Sequence, residues 1–303
     1  MELFVCGFNS FGQLGNLLTS TLSKTELTSI RSFQQIKKAK LIAFARNRAV
    51  IIDDNGNITL SGFIDIKPGL VNLENLPFNG EDVIQIGATK RDVLVVTSDG
   101  QLWEYKIAPC AWRNLKSLLP ISNVEELENK VTKISAGPAS VCAVLQDGRA
   151  FQLPHHELSA SSVVSVCYGY EHGILLTSAG TVMTWGTALR GALGNDSMDV
   201  CPEPSEVRAL AGIRCVYIAA GAFHSCAVSA EGDLYSWGWN RFGQLGHPTH
   251  DEEKENSVST SYVPMPVDWP VPNPSPVKTV HCGSGHTIVV LGKHCLLCFE
   301  TCS

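Results

Sequence analysis

No run of lysine and arginine longer than two residues occurs in this chain; Lys37-Lys38 and Lys90-Arg91 are the longest. A protein that grips nucleic acid through its phosphates needs a basic surplus. Here the net charge is −6, so no direct nucleic-acid partner is expected. Charge of either sign is scarce: 17% of residues are charged and 44% are hydrophobic, a globular composition that excludes general disorder. Long apolar runs are missing too. Nothing approaches the ~18 residues of a membrane span, so no membrane partner is expected. The opening "MELFVCGFNSFGQLG" has no basic segment followed by a long apolar one, so it does not read as a signal peptide. A soluble intracellular protein follows as the expectation. Cysteine is not scarce, but a disulfide framework is: the eleven cysteines are odd in number and scattered, and read as reduced, mostly buried thiols.

Catalytic signatures are also absent. There is no Gly-x-x-x-x-Gly-Lys loop, Gly-x-Ser-x-Gly elbow or His-Glu-x-x-His helix. His294, Cys295, Cys298 and Cys302 offer half of a zinc motif, with His281 and Cys282 nearby. The second Cys-x-x-Cys is lacking, and residues three apart on a strand point to opposite faces. No metal, no cofactor and no enzymatic activity are expected.

What the chain does have is repetition. Residues 3–16, "LFVCGFNSFGQLGN", nearly copy residues 234–247, "LYSWGWNRFGQLGH", placing Gly7, Gly12 and Gly15 on Gly238, Gly243 and Gly246. The copy extends upstream. Residues 163–195 align with 215–247, so that Gly169, His172, Gly180, Trp185, Gly186, Leu193 and Gly194 fall on Gly221, His224, Gly232, Trp237, Gly238, Leu245 and Gly246. Gly283 and His286 fall on Gly221 and His224 in a further copy, and Gly56, Gly100 and Gly148 fall on Gly232 in weaker ones.

Each unit holds short apolar or alternating runs joined by Asn-Gly, Asp-Gly, Glu-Gly or Ala-Gly, the chemistry of tight hairpin turns. That predicts a small antiparallel sheet of three to four strands. One such sheet cannot bury both faces, but a radial stack can, which is a β-propeller. Trp185 and Trp237 are expected between blades. Residues 1–16 match only the last strand and exit turn of a unit, and read as a strand that closes the ring. Seven last-strand phrases but six preceding cores can be counted. Either the ring has six blades or the chain stops one core short, the reading favoured here.

His172, His224 and His286 share one repeat position. A catalytic group is rarely needed in three blades at once, so they read as buried structural histidines bonded to neighbouring backbone. Arg48, Asp92 and Ser140 stand at the same place in other copies. Residues 247–276 read as an insertion loop with an acidic half and a Pro-rich half. On the stiff second half, Tyr262, Val263, Met265 and Trp269 are the candidate partner-binding residues.

The pattern in residues 221–247, G-x-x-H-S-x-x-V-x-x-x-G-x-L-Y-x-W-G-x-N-x-x-G-Q-L-G, resembles that of the regulator of chromosome condensation repeat family. The likeness is strong over residues 163–247 and weak before them; within the family the chain is most like a small single-propeller member. It implies an all-β, seven-bladed propeller spanning residues 1–303 as one domain. One blade is then incomplete: six full repeat cores plus the N-terminal closing strand. It further implies a monomeric, non-catalytic interaction scaffold in the nucleus, chromosome-associated, with the cytoplasm as a second location. Its implied partners are a JmjC-type oxygenase and histones, in chromatin regulation and chromosome segregation. The alternative implied by the family is guanine-nucleotide exchange on a Ran-like small GTPase, for which no wedge loop can be mapped here.

Overall fold

The computed structural model describes residues 3–8, 29–36, 39–45, 48–64, 67–119, 130–138, 140–154, 156–247, 259–268, 275–292 and 295–299. Two compact units, Met1–Ser140 and Val141–Ser303, divide the chain. Among the described residues there is no α-helix; short antiparallel strands and a few single 3-10 turns make up the structure.

The first unit contains β1 (Leu3–Phe8), β2 (Ser29–Ile36), β3 (Leu41–Ala45), β4 (Arg48–Ile52), β5 (Ile58–Ile64), β6 (Lys67–Asn72), β7 (Val83–Ala88), β8 (Asp92–Thr97), β9 (Leu102–Lys106), β10 (Ala111–Asn114) and β11 (Val131–Ala136). Strands β3 to β6 pair in chain order as one four-stranded sheet, and β7 to β10 as a second. Their facing sides share one core. Val50, Ile52, Ile58 and Leu60 of the first sheet meet Val83, Val93, Val95 and Tyr105 of the second, with Trp103 and Trp112 packed at its margin.

Strand β1 pairs with β2 in a two-stranded sheet, Leu3 opposite Ile36 and Phe8 opposite Ser29. Sequence reading assigned no strand to residues 29–36, because that stretch carries no turn-glycine signal. A register slip between Val5 and Gly7 breaks simple alternation along β1. Gly12 and Gly15 lie outside the described residues.

The second unit contains β12 (Val141–Leu145), β13 (Ala150–Leu153), β14 (His156–Glu157), β15 (Val163–Tyr168), β16 (His172–Thr177), β17 (Val182–Gly186), β18 (Cys201–Glu206), β19 (Cys215–Ala220), β20 (His224–Ser229), β21 (Leu234–Trp239), β22 (Thr260–Pro266), β23 (Val277–Cys282), β24 (Thr287–Leu291) and β25 (Cys295–Phe299). Strands β15 to β18 form one four-stranded sheet, β19 to β22 another, and β23 to β25 a three-stranded one, each in chain order.

The hairpin turns obey the glycine frame. Gly56, Gly100, Gly148, Gly180 and Gly232 all have φ between +78° and +93°. At Gly232 the turn closes through Gly232 N–H to Ser229 O (3.1 Å) and Ser229 N–H to Asp233 O (2.9 Å), a left-handed corner that a Cβ would strain.

Sequence reading placed residues 247–276 in a loop, yet Thr260–Pro266 within it is β22, the outer strand on β21, with Met265 opposite Ser236 and Ser261 opposite Gly238. The prolines hid it. Pro264 and Pro266 lack N–H donors, and an outer strand tolerates them because its far edge needs no donors.

Candidate interaction surface

In the second unit the recurring exit-turn phrase is a staple between sheets. In residues 240–246, "NRFGQLG", Asn240 Oδ1 accepts from Leu245 N–H (2.9 Å) and Asn240 Nδ2 donates to His247 O (3.1 Å). Gly243 and Gly246 turn the two corners at φ +75° and +74°. Leu245 is fully buried, and its carbonyl accepts from Ser236 Oγ (2.7 Å). The Gln244 carbonyl is left pointing at the next sheet, where Thr287 Oγ1 donates to it (2.8 Å). One repeat earlier Leu193 and Ala192 do the same work. Leu193 O accepts from Thr184 Oγ1 (2.7 Å), and Ala192 O accepts both Ser225 Oγ and Trp237 Nε1 (2.9 Å each).

The repeated histidine completes the staple. His172 Nε2 is 2.9 Å from Ser225 Oγ, and His224 Nε2 is 2.8 Å from Thr287 Oγ1. Each histidine therefore meets a hydroxyl on the following sheet, and that hydroxyl meets the exit-turn carbonyl of the histidine's own sheet. Sequence reading expected backbone as the partner. It missed the hydroxyls because Ser225 and Thr287 stand one residue after the next histidine position, 53 and 63 residues away.

The Gly-x-x-His spacing follows from packing: the imidazole lies on the glycine, and a Cβ at Gly221 would overlap His224 Cε1. Gly169 and Gly283 meet His172 and His286 in the same way. Burial, with His224 as a like neighbour, pushes the His172 imidazole down to about 3, so it is neutral near pH 7. In one repeat of the first unit the same position is Asp92, which pairs with Lys106 (2.9 Å) instead.

Trp237 is fully buried and sits with Ile174, Leu176 and Val182 of the preceding sheet and Ile218 and Ala227 of its own. Trp185, also buried, meets Cys142, Val144 and Ala150, and its Nε1 donates to Gln152 Oε1 (3.3 Å). Gly186 ends β17 and Gly238 is the last residue but one of β21, at φ +107° and +104°.

Because the staple fixes the loops, it fixes what they display. Tyr170 stands between β15 and β16, Arg190 in the turn after β17, Phe223 between β19 and β20, and Trp239 and Phe242 where β21 exits. Their rings form a chain: Tyr170 to Phe223 at 5.5 Å, Phe223 to Trp239 at 5.8 Å, Trp239 to Phe242 at 5.4 Å between centroids. The Arg190 guanidinium carbon lies 4.0 Å from the Trp239 ring centroid and 4.3 Å from that of Phe223. Arg190 holds φ +62°, a left-handed conformation unusual outside glycine. Tyr170 is 45% exposed, Phe242 39% and the adjoining Leu189 56%. Here is a solvent-facing rim of large side chains whose positions are already held. No single-residue signal marked it; its members are variable positions inside the repeat frame.

Of the sequence candidates for partner binding, Tyr262, Val263 and Met265 lie on β22. Val263 is exposed, while Tyr262 and Met265 are half-buried. The Tyr262 carbonyl accepts from Asp196 N–H (3.1 Å), so that strand is tied to the loop between β17 and β18 of the preceding sheet. Trp269 lies outside the described residues.

Repeated four-stranded antiparallel sheets, stapled in series by one recurring turn, define a β-propeller repeat protein. The crystal structure of yeast RCC1 (Prp20) bound to Kap60 has the same fold, with a TM-score of 0.77 at 16% identity, covering 99% of this chain and 78% of that one. Prp20p from Saccharomyces cerevisiae, in a structure described with its binding to Gsp1p and histones, gives 0.75 at 17% identity, over 99% and 80%. Residues 179–228 and 231–290 match the Regulator of chromosome condensation (RCC1) repeat. The RCC1 domain-containing protein 1 of Homo sapiens is 35% identical over 150 residues, 40% of this chain and 40% of that protein. Residues 179–290 thus carry repeats of the regulator of chromosome condensation type, and the chain's match spans about two fifths of that relative's length.

Proposed function

We propose that this chain is a non-catalytic interaction module that docks a basic, chromatin-associated protein on the aromatic rim of its second unit. The rim is the observation that carries the reading. Tyr170, Phe223, Trp239 and Phe242 offer aromatic anchors in fixed positions, the residue type that dominates binding energy when buried by a partner, and little entropy remains to be lost on binding. Charge indicates the kind of partner. The second unit holds eight Lys and Arg against fifteen Asp and Glu, a net charge of −7, whereas the first is near neutral at +1. A net-acidic unit attracts basic segments such as histone tails, and Prp20p is described with binding to histones. The family resemblance extends the proposal to a monomer working in the nucleus beside a JmjC-type oxygenase acting on histones, with Val263 and the Pro-rich segment through Trp269 as a second contact. Affinity purification of the chain from nuclear extract, followed by mass spectrometry, tests it. The Tyr170→Ala/Phe242→Ala double variant should lose partners that the parent chain retains. An unchanged set of partners overturns the assignment of the rim.

A second reading, nucleotide exchange on a Ran-like GTPase, is supported by the described binding of Prp20p to Gsp1p. It predicts faster nucleotide release from such a GTPase at micromolar chain. No acceleration rejects it.

A further inference from the structure

Where sheet β19–β22 meets sheet β23–β25, three metal-ligating side chains converge. His224 and Cys226 stand two apart on β20 and so share a face; Cys282 ends β23. One donor atom of each lies within 4.8 Å of the other two. Cys226 Sγ and Cys282 Sγ are 3.7 Å apart. His224 and Cys226 are fully buried, and Cys282 is half-buried.

The preceding junction is an internal control. There His172, Ile174 and Ala220 hold the equivalent strand positions, Ala220 opposite Ser225 as Cys282 is opposite Thr287. His172 makes the same hydroxyl bond, yet neither companion is a thiol. The staple therefore needs no cysteine, and the two thiols are an addition to it.

We propose that His224, Cys226 and Cys282 bind one zinc ion between the two sheets. Geometry is the first argument. Zn–S bonds of about 2.3 Å in a tetrahedron hold two sulfurs about 3.75 Å apart, which matches the 3.7 Å already present, so the thiols need not move apart or together. Charge is the second. Two thiolates and a neutral imidazole around a divalent ion sum to zero, which suits a buried place, whereas a monovalent ion would leave an unpaired negative charge. The third is the supporting shell. Thr287 Oγ1, fully buried, lies 2.8 Å from His224 Nε2 and 3.8 Å from Cys282 Sγ, and donates to Gln244 O; it is the nearest oxygen for a fourth position, and an Nε2 that bound the ion would give up its hydrogen bond to this hydroxyl. No metal was expected from the sequence because the two cysteines are 56 residues apart and belong to different repeats.

The full chain, stripped with chelator and titrated with zinc sulfate alone, should take up one equivalent and melt at a higher temperature. Cobalt(II) in place of zinc should give intense thiolate-to-metal absorption. Cys282→Ala, which copies Ala220 at the neighbouring junction, should weaken zinc binding at least ~10-fold and abolish that absorption, with a metal-free melting curve close to the parent's. Cys226→Ala serves as the second variant should the first fail to fold. Absence of one-to-one uptake at micromolar zinc, or uptake and absorption unchanged in both variants, overturns the proposal and leaves the thiols as packing.

Discussion

At the scale of single residues, the histidines report on the account most sharply. His172 is buried and its imidazole is pushed down to about 3, against an ordinary value of about 6.5. Between those values the unfolded chain binds a proton that the native one refuses. The stability this group supports is thus fully present above pH ~6.5 and is lost as pH falls toward 3, at up to ~1.4 kcal/mol per pH unit. His247 and His281 are lowered by burial too, with the same sign. Urea midpoints should fall between pH 7 and pH 5, and His172→Gln should flatten part of that slope. A slope identical in parent and variant contradicts the neutral, buried assignment. For Trp237, wholly enclosed between two sheets, truncation to Ala should cost about 3–5 kcal/mol in urea unfolding; a loss below ~1 kcal/mol would place it at the surface.

At the scale of elements, the exit turn and the strand after the next loop act together. Thr287→Val in β24 keeps the shape and removes the hydroxyl, leaving His224 Nε2 and the Gln244 carbonyl unpaired in the interior. That should cost about 1–3 kcal/mol. Val263→Thr on the exposed side of β22 should stay within ~0.5 kcal/mol. Equal losses for the two would mean that the hydroxyl is not part of a staple.

What was legible in the sequence divides along the same line. Gly56, Gly100, Gly148, Gly180 and Gly232 could be aligned because a positive φ demands glycine and leaves a mark at one position. Trp185 and Trp237 could be aligned because a gap between sheets of this size takes the largest side chain. The Ser225 and Thr287 partners, the strand pairing of β1 with β2 and the convergence of Cys226 with Cys282 depend on neighbours distant in the chain, and no local pattern encodes those. Strand β22 was obscured for another reason: its prolines look like loop chemistry until the strand is seen to be an outer one. The half zinc motif at Cys295 and Cys298, set aside in the sequence, lies where cysteines are close along the chain. The fold brings other cysteines close in space.

At the scale of the molecule, the proposed docking joins two properties of the second unit, its net negative charge for approach and its aromatic rim for grip. Charge acts over about a Debye length and is screened by salt, whereas buried rings are not. Binding of purified core histones, followed by titration at low and physiological ionic strength, separates the two and tests the central claim. The parent chain should bind at both, more weakly at the higher. The Tyr170→Ala/Phe242→Ala variant, confirmed folded by its melting curve, should bind at least ~10-fold more weakly at physiological ionic strength. Equal affinity of parent and variant at that ionic strength, or no binding by the parent at either, would contradict the assignment of the rim as the docking site.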